Sequence, residues 1–267
     1  MTITAYDVLE RVREQKPLVH HLTNWVTIYD CAQVVKTLGA SPVMAHAVEE
    51  AAEMAQLASA LVLNIGTLTS DFVAAMRLAA RAGNAKGIPV VLDVCGAGAT
   101  SFRDRTCYEL LDSVRIDLIK GNTSEVARIA GASVRTRGVD AAEVAGDVVG
   151  LARQLARARQ AVVVVTGAQD IIAGADQTVV VRNEHPLMTR VVGTGCMAAS
   201  VIGAFAAVER NLVAAAASAL VCYEVAAELA AEQGAGPGTF KERLFDCLGN
   251  LDRPTCERRQ RVQYLPQ

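Results

Sequence analysis

Gly193-Thr194-Gly195-Cys196 opens a long apolar stretch and is the strongest local chemical signal in the chain. Glycines at a strand-to-helix turn let backbone N–H groups approach an anion, and the helix N-terminus adds partial positive charge. The motif alone leaves two readings open: an oxyanion or phosphate hole, or a tight turn whose glycines serve helix packing. The same residues fit G-x-G-x-x-[GA] at Gly193, Gly195 and Ala198. A dinucleotide fold would need a further strand ending in an acidic residue, and here the next segment is helical. The sequence contains no Gly-Lys dipeptide, so it has no Walker-type loop. A second glycine turn, Gly96-Ala97-Gly98, follows Asp93. Lys120 ends another apolar run, with Asn122 two residues on and Glu125 three further. Asn122 and Glu125 fit a capping box. Two carboxylates, Asp93 and Glu125, lie beside two glycine turns at strand ends, and together they point to Mg²⁺ with polyphosphate. His20 and His21 are adjacent, so on a strand they face opposite ways, and both read as structural.

These groups need elements to position them. Short β-branched runs alternate with Ala-rich helical segments. Candidate strands are Leu18–Leu22, Pro42–Met44, Ala60–Asn64, Pro89–Asp93, Ile116–Lys120 and Ala161–Thr166. Most are continuous apolar runs, as in Val162-Val163-Val164-Val165, which marks strands buried on both faces in a parallel sheet. Candidate helices lie near 24–38, 47–58, 69–84, 103–113, 123–130 and 140–158. After Thr166 the pattern changes to an edge hairpin, Ile171–Ala173 and Thr178–Val181, which a strand near Leu187–Val192 extends. Helices near 195–208, 212–232 and 239–250 follow. In open α/β sheets, ligands bind beyond the carboxyl ends of the strands. Asn24, Met44, Asn64, Asp93, Lys120 and Thr166 all fall there.

Composition narrows the class. At 267 residues, one large α/β domain over 1–267 is expected. Hydrophobic residues make up 52% but aromatics only 4%, so the core is built from Ala, Val, Leu and Ile. A net charge of -2 gives no field that would steer the chain to nucleic acid or anionic lipid. Arg258, Arg259 and Arg261 read as a solvated tail. Acidic and basic residues interrupt the start, which excludes a signal peptide. Val191 to Val208 carries no charge, yet the glycine turn breaks it, so a buried helix is expected rather than a membrane span. The seven cysteines are odd in number and none are spaced C-x-x-C, which fits reduced thiols in a cytoplasmic protein.

The ordered motifs resemble one family. Pro17-Leu18-Val19-His20 with Thr23-Asn24, then Leu38-Gly39-Ala40-Ser41-Pro42-Val43-Met44, look like the N-terminal signature of hydroxyethylthiazole kinases. Leu63-Asn64-Ile65-Gly66-Thr67-Leu68, Leu92-Asp93 with Gly96-Ala97-Gly98-Ala99, and Gly121-Asn122-Thr123-Ser124-Glu125 continue it. Thr166-Gly167, Val192-Gly193-Thr194-Gly195-Cys196 and Gly236-Pro237-Gly238-Thr239-Phe240 complete it over residues 17–245. The resemblance implies a three-layer, ribokinase-like α/β fold with a mostly parallel sheet, helices on both faces, an edge hairpin and no lid domain. It implies transfer of phosphate from ATP, with Mg²⁺, to 4-methyl-5-(2-hydroxyethyl)thiazole for thiamin synthesis or salvage. It also implies a homotrimer with sites near subunit interfaces. By this resemblance Met44, Asn24 and Gly193 contact the thiazole, and Lys120, Thr166 and Asn122 contact ATP. Asp93 and Glu125 serve the metal. Cys196 occupies the place where ribokinase relatives carry a catalytic Asp, and Gly193 and Gly195 join it in catalysis as backbone donors to the transferring phosphoryl group. This chain departs from the usual pattern at Lys120 (usually Arg), Val94-Cys95 (usually Pro-Val), Ala168 (often Glu) and Trp25 beside Asn24. The rivals are a related kinase for a pyrimidine or pyridoxal alcohol, a nucleotide-dependent hydro-lyase on the same fold, and a binding protein without catalysis.

Overall fold

A computed structural model of the chain describes residues 4–131, 147–232, 234 and 236–266. Nine strands form one sheet: β1 (Leu18–Leu22), β2 (Ser41–Val43), β3 (Ala60–Asn64), β4 (Val90–Asp93), β5 (Leu118–Asn122), β6 (Val162–Thr166), β7 (Asp170–Ala173), β8 (Thr178–Val181) and β9 (Val262–Leu265). Their spatial order is β2-β1-β3-β4-β5-β6-β7-β8-β9. The pairings are parallel through β6 and antiparallel from β6 to β9. The helices are α1 (Ala5–Gln15), α2 (Ile28–Thr37), α3 (Ala51–Leu57), α4 (Ser70–Lys86), α5 (Ser101–Ser113), α6 (Thr123–Ile129), α7 (Val148–Arg159), α8 (Thr194–Ala206), α9 (Leu212–Ala231), α10 (Pro237–Gly249) and α11 (Arg253–Arg259).

Alternation along each strand sorts the core into two halves. Ala60 and Val62 of β3, and Val162 and Val164 of β6, pack with α1, α2, α8, α9 and α10. Leu61 and Leu63, Val163 and Val165 pack on the other face with α3 to α7. Three layers result, as the continuous apolar runs require. Gly203 seats α8 directly on the sheet: a Cβ there would lie 2.5 Å from Val62 Cγ2. By length and composition α9 could cross a bilayer, but 78% of its apolar window is buried inside the protein.

Several expectations are corrected. The segment near Leu187–Val192 is not a strand. Pro186–Arg190 is a short 3-10 helix, capped by His185, whose ring accepts the Leu187 N–H. The position beside β8 is filled instead by β9, a short, partly exposed strand just beyond the terminal arginines. The arginines near the end are not a free tail. Arg259 pairs with Glu232 at 2.5 Å, and Arg261 pairs with Glu228. The helix expected over 140–158 is observed from Val148, and residues 140–146 lie outside the described residues. Helix α1 was not anticipated.

Candidate active site

Strand register builds the site. Asn64 of β3 stands opposite Asp93 of β4, and Asp93 opposite Lys120 of β5. One row of polar side chains therefore crosses three strand ends. Asn64 Nδ2 donates to Asp93 Oδ2 at 2.9 Å, and Lys120 Nζ lies 3.6 Å from the same oxygen. All three residues are buried, and Asp93 Oδ1 has no partner. Further along, Asn122 stands opposite Thr166. Asn122 and Glu125 form the capping box that opens α6. Glu125 accepts from Asn122 N at 2.7 Å and, across the turn after β4, from Gly96 N at 2.6 Å.

α8 brings its N-terminus to this row. Gly193 has φ +93°, a left-handed backbone that a side chain would strain, and a Cβ there would meet Thr27 Cγ2 at 2.6 Å. A Cβ on Gly195 would stand 3.2 Å from Lys120 Nζ, so the ammonium faces the glycine turn. Tyr223, buried in α9, donates to Thr194 O at 3.1 Å and pins the turn from behind. Cys196 Sγ receives Asn24 Nδ2 and Asn64 Nδ2, each at 3.3 Å.

Charge follows from this packing. A hydrogen bond from the Cys95 thiol, helped against burial by Lys120 and by the Thr27 and Asn64 side chains, holds the Cys196 thiol down to about 5. The Cys95 thiol is pushed up by the same contact and by burial. Burial works against the Lys120 charge, but Asp93 and Glu125 together outweigh it and raise the ammonium above its ordinary value. Burial raises the carboxyls of Asp93 and Glu125, and Lys120 opposes this in both.

These groups surround a cavity of about 410 Å³. Asn24, Asp93, Lys120, Asn122, Glu125, Thr166, Gly193, Gly195 and Cys196 all line it. Met44 does not. It follows β2 on the strand beside β1, and its carbonyl sits 3.3 Å from His46 Nδ1. Nearby, the Trp25 ring meets His46 edge-on at 4.5 Å and lies 5.6 Å from Phe72. Asn24 is buried with its amide already engaged by Thr27, Asn64 and Cys196. His20 and His21 are both buried away from the cavity. The sequence places Asn64 at a strand end and marks Cys95 as a departure from the family pattern, but assigns neither a role, and it gives no sign of Arg103. Arg103 ties the turns after β3 and β4 together through Ile65 O (2.7 Å), Gly66 O (2.6 Å) and Cys95 O (3.0 Å). For Asn64 a signal existed: it ends a strand on the same edge as Asp93.

A glycine turn at a helix N-terminus, a buried cation and strand-end carboxylates around one cavity define a ribokinase-like α/β protein. A ribokinase-like superfamily protein from Enterococcus faecalis shares this fold at 13% identity, over 91% of this chain and 93% of its own, with a TM-score of 0.62. The hydroxyethylthiazole kinase family model matches residues 9–253. A hydroxyethylthiazole kinase from Methanosarcina mazei is 51% identical over 96% of this chain and 98% of its own length. The structure of the hydroxyethylthiazole kinase protein from Pyrococcus horikoshii aligns with a TM-score of 0.89 at 39% identity, over 98% of this chain and 99% of its own. The chain belongs to the hydroxyethylthiazole kinase family and is a kinase.

Proposed function

We propose that this chain moves the γ-phosphoryl group of ATP onto the hydroxyl of 4-methyl-5-(2-hydroxyethyl)thiazole, for thiamin synthesis or salvage, with residues 1–267 acting as one domain. The observation that carries the chemistry is the Cys196 sulfur, held by two amides at the N-terminus of α8 and facing the cavity. The Cys196 thiolate takes the hydroxyl proton, the alcohol oxygen bonds to the γ-phosphorus, and ADP leaves with the bridging oxygen. Amides of Gly193 to Cys196 and the Lys120 ammonium stabilise the charge on the phosphoryl oxygens. Lys120, Thr166 and Asn122 hold the nucleotide phosphates. Asn24 orients the sulfur, and Gly193 bounds the thiazole; Met44, which lies off this cavity, is given no contact with it.

The residues fit Mg²⁺. Asp93 Oδ1 is a buried acceptor with no partner, and Glu125 lines the same cavity. Among the described residues no group of three or more His, Cys, Asp or Glu could hold a metal unaided. Mg²⁺ commonly takes one or two carboxylates and completes its shell with water and phosphate oxygens. Asp93 and Glu125 would hold it, and when bound it would offset charge on the polyphosphate.

A homotrimer with sites near its interfaces is supported by the exposed apolar residues Val26, Tyr29 and Val192 on segments flanking the cavity. A cytoplasmic setting is supported by seven cysteines, all free. The test is a coupled ADP-release assay with the thiazole alcohol, a pyrimidine alcohol and pyridoxal side by side. The thiazole alcohol should give the highest kcat/KM, and a preference for either other alcohol would overturn the assignment.

A further inference from the structure

Arg103 of α5 reaches two turns of the cavity wall from behind. Gly66 and Cys95 line the cavity, and Arg103 does not. Its Nη1 donates to Ile65 O and Cys95 O, and its Nη2 to Gly66 O. All three acceptors are backbone carbonyls, and among the described residues no carboxylate pairs with it. Two of these peptide groups face the site with their other end. Both are trans, so the N–H points away from the C=O. The peptide between Ile65 and Gly66 gives its oxygen to Arg103 and its N–H to Asn64 Oδ1 at 2.8 Å. The peptide between Cys95 and Gly96 gives its oxygen to Arg103 and its N–H to Glu125 Oε1 at 2.6 Å. One cation therefore grips both peptide groups that hold Asn64 and Glu125. With Oδ1 engaged, Asn64 turns Nδ2 toward Asp93 Oδ2 at 2.9 Å and Cys196 Sγ at 3.3 Å. The fit is tight: a Cβ on Gly66 would lie 2.9 Å from Asn24 Cβ and from Asn64 Oδ1. A shift of this turn is thus passed to both amides that hold the Cys196 sulfur.

We propose that Arg103 is a positioning residue for phosphoryl transfer: it fixes the turns after β3 and β4 so that Asn64 and Glu125 keep the reacting groups in place, while touching neither ATP nor the alcohol. This role rests on the site assigned above. A cation on the carbonyl side also polarises each peptide and strengthens the bond that its N–H makes. Three acceptors spread around one side chain suit the planar fork of arginine and not the single point charge of lysine. Without the fork both turns are released together, and a misplacement of about 1 Å in a site of this kind costs roughly 100-fold in rate.

The test compares the full chain with Arg103→Ala and Arg103→Lys. In the Ala variant kcat should fall about 10- to 100-fold while the KM for the alcohol stays within about threefold. The Lys variant should fall between the Ala variant and the wild type. Arg103 is only half-buried, so a small cation can reach the space its head leaves. Guanidinium chloride at about 20 mM, far below the molar range that unfolds proteins, should raise kcat of the Ala variant about fivefold or more. Sodium chloride at the same concentration should not, and the wild type should respond to neither. A second readout uses no substrate. With nitrogen-15 glycine in the chain, the amide protons of Gly66 and Gly96 should move upfield in the Ala variant and return with guanidinium. The proposal is overturned if the Ala variant keeps the wild-type kcat, if its alcohol KM rises as far as its kcat falls, or if those two amides do not move. If the Ala variant does not fold, the Lys variant is judged by the same kcat, KM and amide criteria. A chain that prefers another alcohol would overturn the assigned substrate alone, because the amide shifts need no alcohol and the kcat loss is read on whichever one reacts.

Discussion

At Cys196 the chemistry is set by neighbours rather than by the residue type. A free thiol is mostly protonated at neutral pH; here the contacts with Cys95, Lys120, Thr27 and Asn64 hold it at about 5. Phosphoryl transfer depends mainly on positioning and charge, with the base a lesser contribution. Cys196→Ala should therefore lower kcat about 10- to 100-fold without abolishing turnover. Cys196→Asp should be folded and active, because its carboxylate meets the same amides and the Lys120 charge. A fully active Ala variant beside an Asp variant that cannot fold would show a merely structural cysteine. Lys120 makes a second residue-scale case. Lys120→Ala should raise the ATP KM at least about tenfold, the loss of one charge-assisted contact. It should also lower the melting temperature, because Asp93 would be left buried without its cation. Lys120→Arg should retain ATP affinity, and an unchanged ATP KM in the Ala variant would remove Lys120 from the nucleotide site.

At the scale of elements, α8 delivers the glycine turn to the strand ends, and its height over the sheet is set at Gly203. Gly203→Ala would drive a methyl to 2.5 Å from Val62, so either the helix or the valine must move. A loss of about 1–3 kcal/mol is expected in urea unfolding, with kcat reduced as the turn shifts. A variant as stable and as fast as the wild type would show that the seat is loose. This helix was legible in the sequence, as were the strands through β6, because a continuous apolar run bounded by polar groups has few alternatives. Strand β9 was not. Val262-Gln263-Tyr264-Leu265 is a short, partly exposed edge strand among arginines, and only its pairing with β8 defines it. Nor was α1, whose apolar residues Val8, Leu9 and Val12 are interleaved with charge. In the site, Asp93, Lys120, Glu125 and Cys196 could be read because their motifs are local. Asn64 and Cys95 matter through what lies across the sheet or at another helix, and register is not written in either segment.

For the molecule as a whole, the buried histidines set the response to acid. Burial lowers His21 from 6.5 to about 4, with partial compensation from the Val19 carbonyl. Between these values the unfolded chain binds a proton that the folded chain refuses, so stability rises with pH. The contribution is complete above about 6.5 and is lost as pH falls toward 4. Unfolding free energy should drop by about 2 kcal/mol from pH 7 to pH 5 through this group. His21→Gln should flatten that part of the slope in parallel urea titrations; an identical slope would assign acid sensitivity elsewhere. The proposed trimer is testable at the same scale. Light scattering should give three times the mass of one chain, and Tyr29→Glu, which puts charge on a 73% exposed aromatic, should dissociate it. A wild-type mass of one chain would remove the trimer.

Trp25 is the chain's one tryptophan, and it is 47% exposed beside His46 and Phe72. With so aliphatic a core, near-ultraviolet emission reports on this rim and almost nothing else. Unfolding moves an already half-wet indole only a little further into water, so the emission maximum follows global denaturation poorly. A molecule settling next to the ring changes its immediate surroundings far more. Circular dichroism and tryptophan emission therefore divide the optical work: one follows the fold, the other the exposed patch of Trp25, His46 and Phe72, and no label has to be attached to separate them.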